Sequence, residues 1–183
     1  MIDKIADRIS KRYVLVSLTL LLALGLFMMG VYAPWFSARA GGQPYMETKL
    51  GYLPGDLFEM AEAYETERRT LYIRTSLTLD FLIPLMAGNF LIAFSLYLLN
   101  KLPGREKWRK PLVVLGVLTA LSDWMENALM IGLLSMYPKH VMALAIAARV
   151  MTSVKYLLML TFIIIFVEEF WTIKKPAGRQ KNT

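Results

Sequence analysis

The sequence predicts an all-α fold, an integral membrane four-helix bundle with an amphipathic helix in the loop after the first span. Three observations predict it. Apolar residues make up 56% of the 183 residues and charged ones only 19%, whereas a soluble domain carries about 45–50% and about 25%. Four stretches reach the roughly 20 mainly apolar residues that cross about 30 Å of hydrocarbon. The remaining charge, 21 Lys+Arg against 14 Asp+Glu, gathers mostly outside those stretches. Residues 1–183 are expected to form a single membrane domain with spans at about 13–33, 71–99, 112–136 and 149–171.

In chain order, Ile2, Ile5, Ala6 and Ile9 share one helical face opposite charged residues, which reads as a short interfacial helix. The first span, YVLVSLTLLLALGLFMMGVYA, has no charge. Ala38-Arg39-Ala40 follows it as in a secretory leader, but a leader's apolar core is about 7–15 residues, so an uncleaved helix is expected. In the loop, Asp56 and Glu59 after Pro54-Gly55 make a capping-box-like start. Leu57, Met60, Ala61 and Tyr64 then follow at helical spacing, so 56–69 is expected to be an amphipathic helix. It would pack on the membrane surface or over the bundle, or act as a lid.

The second span contains Arg74, Asp80, Pro84 and Asn89, the third Asp123, Glu126 and Asn127, and the fourth Arg149 and Lys155. His140 to Trp171 is about 48 Å of straight helix, longer than the hydrocarbon. The segment HVMALAIAA is therefore expected to project beyond the membrane or bend along it, against the 56–69 helix. Lone His140 reads as a loop residue. Gly116/Ala120 and Ala143/Ala147 are small-residue pairs for close helix packing. Trp35, Trp108 and Trp171 mark span borders as an aromatic belt does.

Charge placement predicts orientation. The N-terminal stretch, the loop KLPGREKWRK and the C-terminal tail together hold 13 cations and 5 anions. The 34–70 loop holds four cations against six carboxylates, and Lys139 is alone in the third loop. Basic loops stay cytoplasmic, so both termini are expected there and the protein in the inner (plasma) membrane. The net +7 then faces anionic lipid rather than nucleic acid. The absence of cysteine excludes disulfides, thiolate metal sites and cysteine nucleophiles, and one histidine argues against a histidine metal site or a Ser/His triad. No phosphate loop, HExxH or GxSxG motif occurs. No cofactor and no metal are expected.

Six formal charges stay within the spans: Arg74, Asp80, Asp123, Glu126, Arg149 and Lys155. Each left alone near the bilayer centre would cost about 2.5–3.5 kcal/mol, so mutual pairing is the physical way to hold them. Asp123, Glu126 and Asn127 at i, i+3, i+4 share a helix face, as do Thr152 and Lys155. Depths counted at about 1.5 Å per residue let Asp80, Asp123, Glu126 and Lys155 meet in the outer half of the bilayer. Pro84 frees a backbone carbonyl near Asp80, and Asn89 adds a polar group deeper in that helix. Arg74 and Arg149 lie near span ends and can snorkel. Carboxylates around a buried ammonium bind a cation in exchange for a proton, act as general acid and base, or hold helices in register.

The segments GYLPGDLFEMAEAYETERRTLYIRTSLTLDFLIPL and SDWMEN, with a lysine in the last span, resemble a group of uncharacterised prokaryotic four-span membrane proteins over roughly residues 50–160. The resemblance implies that Arg69, Tyr72, Asp80, Pro84, Asp123, Glu126, Asn127 and Lys155 belong to one site, and supplies no activity. In layout the chain also resembles the sterol-isomerase and sigma-2-receptor family, in which acidic residues inside a helical bundle bind amines or stabilise a carbocation. The leading expectation is a membrane protein that binds or transports a small ligand or ion, coupled to protons, in contact with lipid and forming a homo-oligomer. A lipid-modifying isomerase or hydrolase, with one carboxylate as acid and another as base, and a structural subunit are the rivals.

Overall fold

The computed structural model describes residues 2–40, 42–46, 51–102 and 106–174, without the side chains of 166, 169, 170 and 172–174. Glu47, Lys49, Arg105, Lys175, Arg179 and Lys181, which enter the loop charge pattern, lie outside the described residues. The described elements are all helical: α1 Ile2–Ala6, α2 Lys11–Phe27, a π-turn Met28–Tyr32, α3 Ala33–Arg39, α4 Asp56–Ala63, α5 Thr66–Ser76, α6 Leu79–Leu99, a 3-10 turn Glu106–Trp108, α7 Arg109–Met136 and α8 Met142–Lys174. Four helical stretches are long and apolar enough to cross a membrane: Lys11–Arg39, Thr66–Leu99, Glu106–Met136 and Met142–Ile165. Their alternation puts α1, the end of α6, the start of α7 and the end of α8 at one end of the bundle, the terminal end. Residues 42–46 and 51–65 and the α7–α8 turn lie at the other, the loop end.

The spans pack in the order α2–α6–α7–α8, with α2 and α8 as flanking members. Only 17% of the most apolar window of each flanking helix is buried, against 33% in α6 and α7. The flanks therefore present Leu26, Met29, Leu157 and Ile164 outward, an apolar surface that a bilayer solvates and water does not. The inner seam depends on small residues. A Cβ on Gly88 would lie 3.1 Å from Ala120 Cβ, and one on Gly116 would lie 2.6 Å from Ile92 Cγ1. Gly116 and Ala120 thus serve the close approach of α6 and α7. The other small pair is corrected: Ala145 and Ala148 are buried, while Ala143 is exposed.

Several expected boundaries shift for identifiable reasons. The helix expected over 56–69 is two helices, because Tyr64 leaves the helical region at ψ 104. Its phenol donates to the Pro44 carbonyl. Arg69 Nη1 then donates to the freed carbonyls of Ala61 (3.0 Å) and Tyr64 (2.5 Å), closing the C-terminus of α4. At the start of α4, Gly55 is the N-cap without a side-chain bond. Asp56 instead accepts the Leu53 amide at 3.0 Å, so no capping box forms. The second span begins earlier than residue 71, and its break falls at Leu77–Thr78. Helix α6 runs on through Pro84, which loses one bond to the Asp80 carbonyl. Helix α1 ends at Ala6, short of Ile9.

Helix α8 starts at Met142 and runs without a break past Arg149. Its first turns are lined by Leu57, Phe58, Met60 and Ala61 of α4, in one cluster with Ala145 and Ala148. His140 stacks on Phe58 with ring centroids 4.6 Å apart. The same cluster holds Phe36, Tyr45, Tyr64 and Tyr72, with Tyr45 stacked on Tyr72 at 4.5 Å. Trp35 at the loop end, and Trp108 and Trp171 at the terminal end, are all exposed, as the belt pattern requires.

Candidate functional site

Helices α7 and α8 bring the predicted charges together. The ammonium of Lys155 lies 3.0 Å from Asp123 Oδ1 and also pairs with Glu126 Oε2. Both carboxylates reach one lysine because Asp123 and Glu126 are three residues apart on one face of α7. Glu126 is 1% exposed, and the side chains of Lys155 and Asp123 are 12% and 18% exposed. Thr152, one turn before Lys155 on α8, sits 2.6 Å from Glu126 Oε1.

A loop residue completes the chain of bonds. Tyr52, 1% exposed, has its phenol 2.6 Å from Thr152 Oγ1. A threonine hydroxyl has one proton to give. The Thr152 hydroxyl also lies 3.0 Å from the Ala148 carbonyl, so its one proton is shared between that carbonyl and Glu126, and with it so committed the tyrosine donates to Thr152. Burial pushes the Tyr52 phenol above its ordinary range, so it remains a neutral donor. The Arg149 guanidinium lies 5.6 Å from the centre of the Tyr52 ring. Rather than snorkelling free, Arg149 covers the tyrosine that covers the site.

Asp80 and Asn127 form a second, adjoining pair. Asn127 Nδ2 reaches Asp80 Oδ2 at 3.5 Å, and both residues are buried. The other end of the amide, Asn127 Oδ1, is buried without a hydrogen-bond partner among the described residues. Asp80 is thereby linked to the lysine site through Asn127, the neighbour of Glu126 on α7. Among the described residues no three carboxylate or imidazole groups converge as a metal cluster would require.

Three other residues lie elsewhere. Arg69 closes the α4–α5 corner and stacks on Tyr137 at 4.3 Å. Tyr72 is inside the aromatic cluster. Asn89 faces α2, where it accepts from Tyr13 at 2.8 Å and donates to Ser17 at 3.1 Å; it fastens two helices rather than deepening the site. Pro84 is buried one turn beyond Asp80.

Sequence periodicity finds the α7 and α8 residues but not Tyr52. That residue lies outside any regular element, just after Gly51, whose φ of 73° only glycine adopts without strain. Its partner is a hundred positions away in the chain. The flanking Gly51 and Pro54 are the only local signal, and they mark a turn without saying what it covers. The chain matches no family model, no curated protein and no solved structure.

Proposed function

We propose that this is a multi-pass membrane protein whose α6–α7–α8 site binds or transports a small ligand or ion in exchange for a proton. The observation that carries the reading is the stoichiometry at Lys155: one half-buried ammonium against two carboxylates, Asp123 and Glu126. The ammonium balances one carboxylate, and the second negative charge is balanced by a proton or by a bound cation. A purely structural pair needs no second acid. Tyr52 and Thr152 supply a hydrogen-bonded path from the loop end to Glu126, along which a proton reaches the site. The unpartnered Asn127 Oδ1 offers a further acceptor beside it.

We place both termini in the cytoplasm of a cell inner (plasma) membrane. The terminal end carries Lys4, Arg8, Lys11, Arg12, Lys101, Lys107, Arg109 and Lys110, whereas the 34–70 sequence holds six carboxylates. The site then lies in the outer half of the bundle, with Glu126 about 15 Å from the loop-end terminus of α7. Because the chain has no cysteine, single Lys4→Cys and Glu62→Cys variants read the orientation directly. An impermeant maleimide should label the second in intact cells and the first only after permeabilisation.

The function itself is tested in liposomes containing a pH-sensitive dye, with infrared difference spectra of the same protein. Wild type should show a protonated-carboxyl band that Asp123→Asn or Glu126→Gln removes, and proton movement driven by a cation gradient. A band-free spectrum across the pH range, with both variants as stable as wild type, would sink the proposal.

A further inference from the structure

The loop end holds a second concentration of charge that the buried site does not use. An open groove between α3 and α5 is lined by Trp35, Arg39, Glu67, Arg68, Leu71 and Arg74. Three guanidinium groups face one carboxylate there, a local balance of +2 within a loop region that is acidic as a whole. Arg39 is held by stacking on Trp35, 4.3 Å from the ring centre. Arg68 and Arg74 make no ion pair among the described residues, and Arg74 is exposed.

The height of the groove identifies what it faces. The first span, Lys11–Arg39, has 29 residues, about 43 Å of helix. That matches the roughly 40–45 Å of a bilayer with its headgroups. With Lys11 and Arg12 in one headgroup layer, Arg39 and the groove lie in the other. Val31 and Leu77, more than half exposed, sit just below on the same two chain segments and are apolar. A ligand seated here meets guanidinium groups at headgroup depth and hydrocarbon-facing side chains beneath. Guanidinium is the donor that matches phosphate oxygens in pairs.

We infer that this groove is a binding site for the phosphodiester headgroup of an anionic phospholipid in the leaflet at the loop end. Arg39, Arg68 and Arg74 hold the phosphate, Trp35 and Leu71 form the apolar floor, and the acyl chains run down the exposed flank. Charge complementarity and depth carry this assignment, and it does not depend on how the Lys155 site works.

The test uses the full chain in nanodiscs of phosphatidylcholine with a minor share of phosphatidylglycerol, followed by native mass spectrometry of retained lipid. Wild type should keep phosphatidylglycerol preferentially. An Arg68→Gln/Arg74→Gln variant should lose about thirtyfold of that preference, since each basic residue near the surface contributes roughly five- to sixfold. Both side chains are free of ion pairs among the described residues, so the unfolding temperature should not move. The same double change to lysine should recover only part of the preference. As a second reading, a single Thr70→Cys in the groove should be protected from maleimide by phosphatidylglycerol and not by phosphatidylcholine. Unchanged retention in the glutamine variant would overturn the site. Equal protection of Thr70→Cys by millimolar inorganic phosphate would overturn the lipid assignment in favour of a soluble phosphate.

Discussion

The two ends of this bundle are built on different principles. At the loop end, α3, α4, α5 and the first turns of α8 bury a continuous cluster, from Phe36 and Tyr45 through Met60 and Tyr72 to Ala148. At the terminal end the buried cluster is small, formed by Leu99, Leu112 and Phe162. There the joining is done by polar links: Asn100 donates to the Ala6 carbonyl at 2.7 Å, and Arg109 reaches both Asn100 and Asp3. The thick end is the one that holds the intramembrane charges. A charged site within the bilayer needs shielding from lipid and water alike, and the cap supplies it. The terminal end only has to keep adjacent helices in register.

If that contrast is right, the largest loss of stability comes from stranding a charge under the cap. Lys155→Met should cost about 3–5 kcal/mol, because it leaves two acids without their cation. Denaturant unfolding in detergent measures it. Adding Asp123→Asn and Glu126→Gln to the same chain should recover most of the loss, since the stranded charges go with it. A Lys155→Met protein as stable as wild type would mean that the site is wet, and the contrast would fail.

A middle-sized effect is expected at the seam between the ends. Gly116→Leu must push into Ile92, where even a Cβ would come within 2.6 Å of Cγ1, and overpacking costs about 1–3 kcal/mol. Resistance to proteolysis between α6 and α7 reads this directly. Tyr52→Phe should be smaller, about 0.5–1.5 kcal/mol for one hydrogen bond. It should nevertheless slow proton exchange at Glu126, because the path from the loop end begins with that hydroxyl. Equal exchange rates would show that protons reach Glu126 by another route.

The smallest effect belongs to the terminal end. The Arg109 guanidinium, hydrogen-bonded to Asp3 at 2.9 Å, holds that carboxyl below its ordinary value. A lowered carboxylate value means the contribution is present above the ordinary Asp range and fades as pH falls through the lowered one. Asp3 is exposed, so added salt should weaken the link in the same way. Proteolysis of the first residues in acid, with Asp3→Asn as the reference, should show the pH dependence vanish in the variant and leave the rest of the bundle untouched.

Much of this was legible without coordinates, and the reason is periodicity. Four spans follow from composition and length. The meeting of Asp123, Glu126, Thr152 and Lys155 follows from two i, i+3 spacings on helices that had to be neighbours. Contacts that cross between distant segments leave no such trace. Nothing near Tyr52 announces Thr152, and nothing near Asn89 chooses Tyr13 and Ser17 over the charged site. Helix ends were least legible. The split at Tyr64 depends on a phenol finding a carbonyl twenty residues back, and on Arg69 taking the carbonyls that the split exposes.

The π-turn at Met28–Tyr32 places the Ala33 amide on the Met28 carbonyl, five residues back instead of four. It stands just before Pro34, whose ring would collide with a regular turn and which lacks a donor. Below it the inward positions of the first span run Val14, Ser17 and Met28; above it they run Ala33, Phe36 and Ala40. A regular helix continued from Met28 would turn Trp35 and Arg39 inward, since each residue advances the direction by about 100°. The one extra residue sets the phase of everything above it. Deleting a single residue there, such as Met29, would remove the extra residue and leave a regular helix with Phe36 and Ala40 still inward, whereas adding one would rotate a guanidinium and an indole into their space and send Phe36 into the lipid. The upper third of this helix is thus addressed by counting as much as by chemistry, and an insertion of one residue should be more damaging than almost any substitution along it.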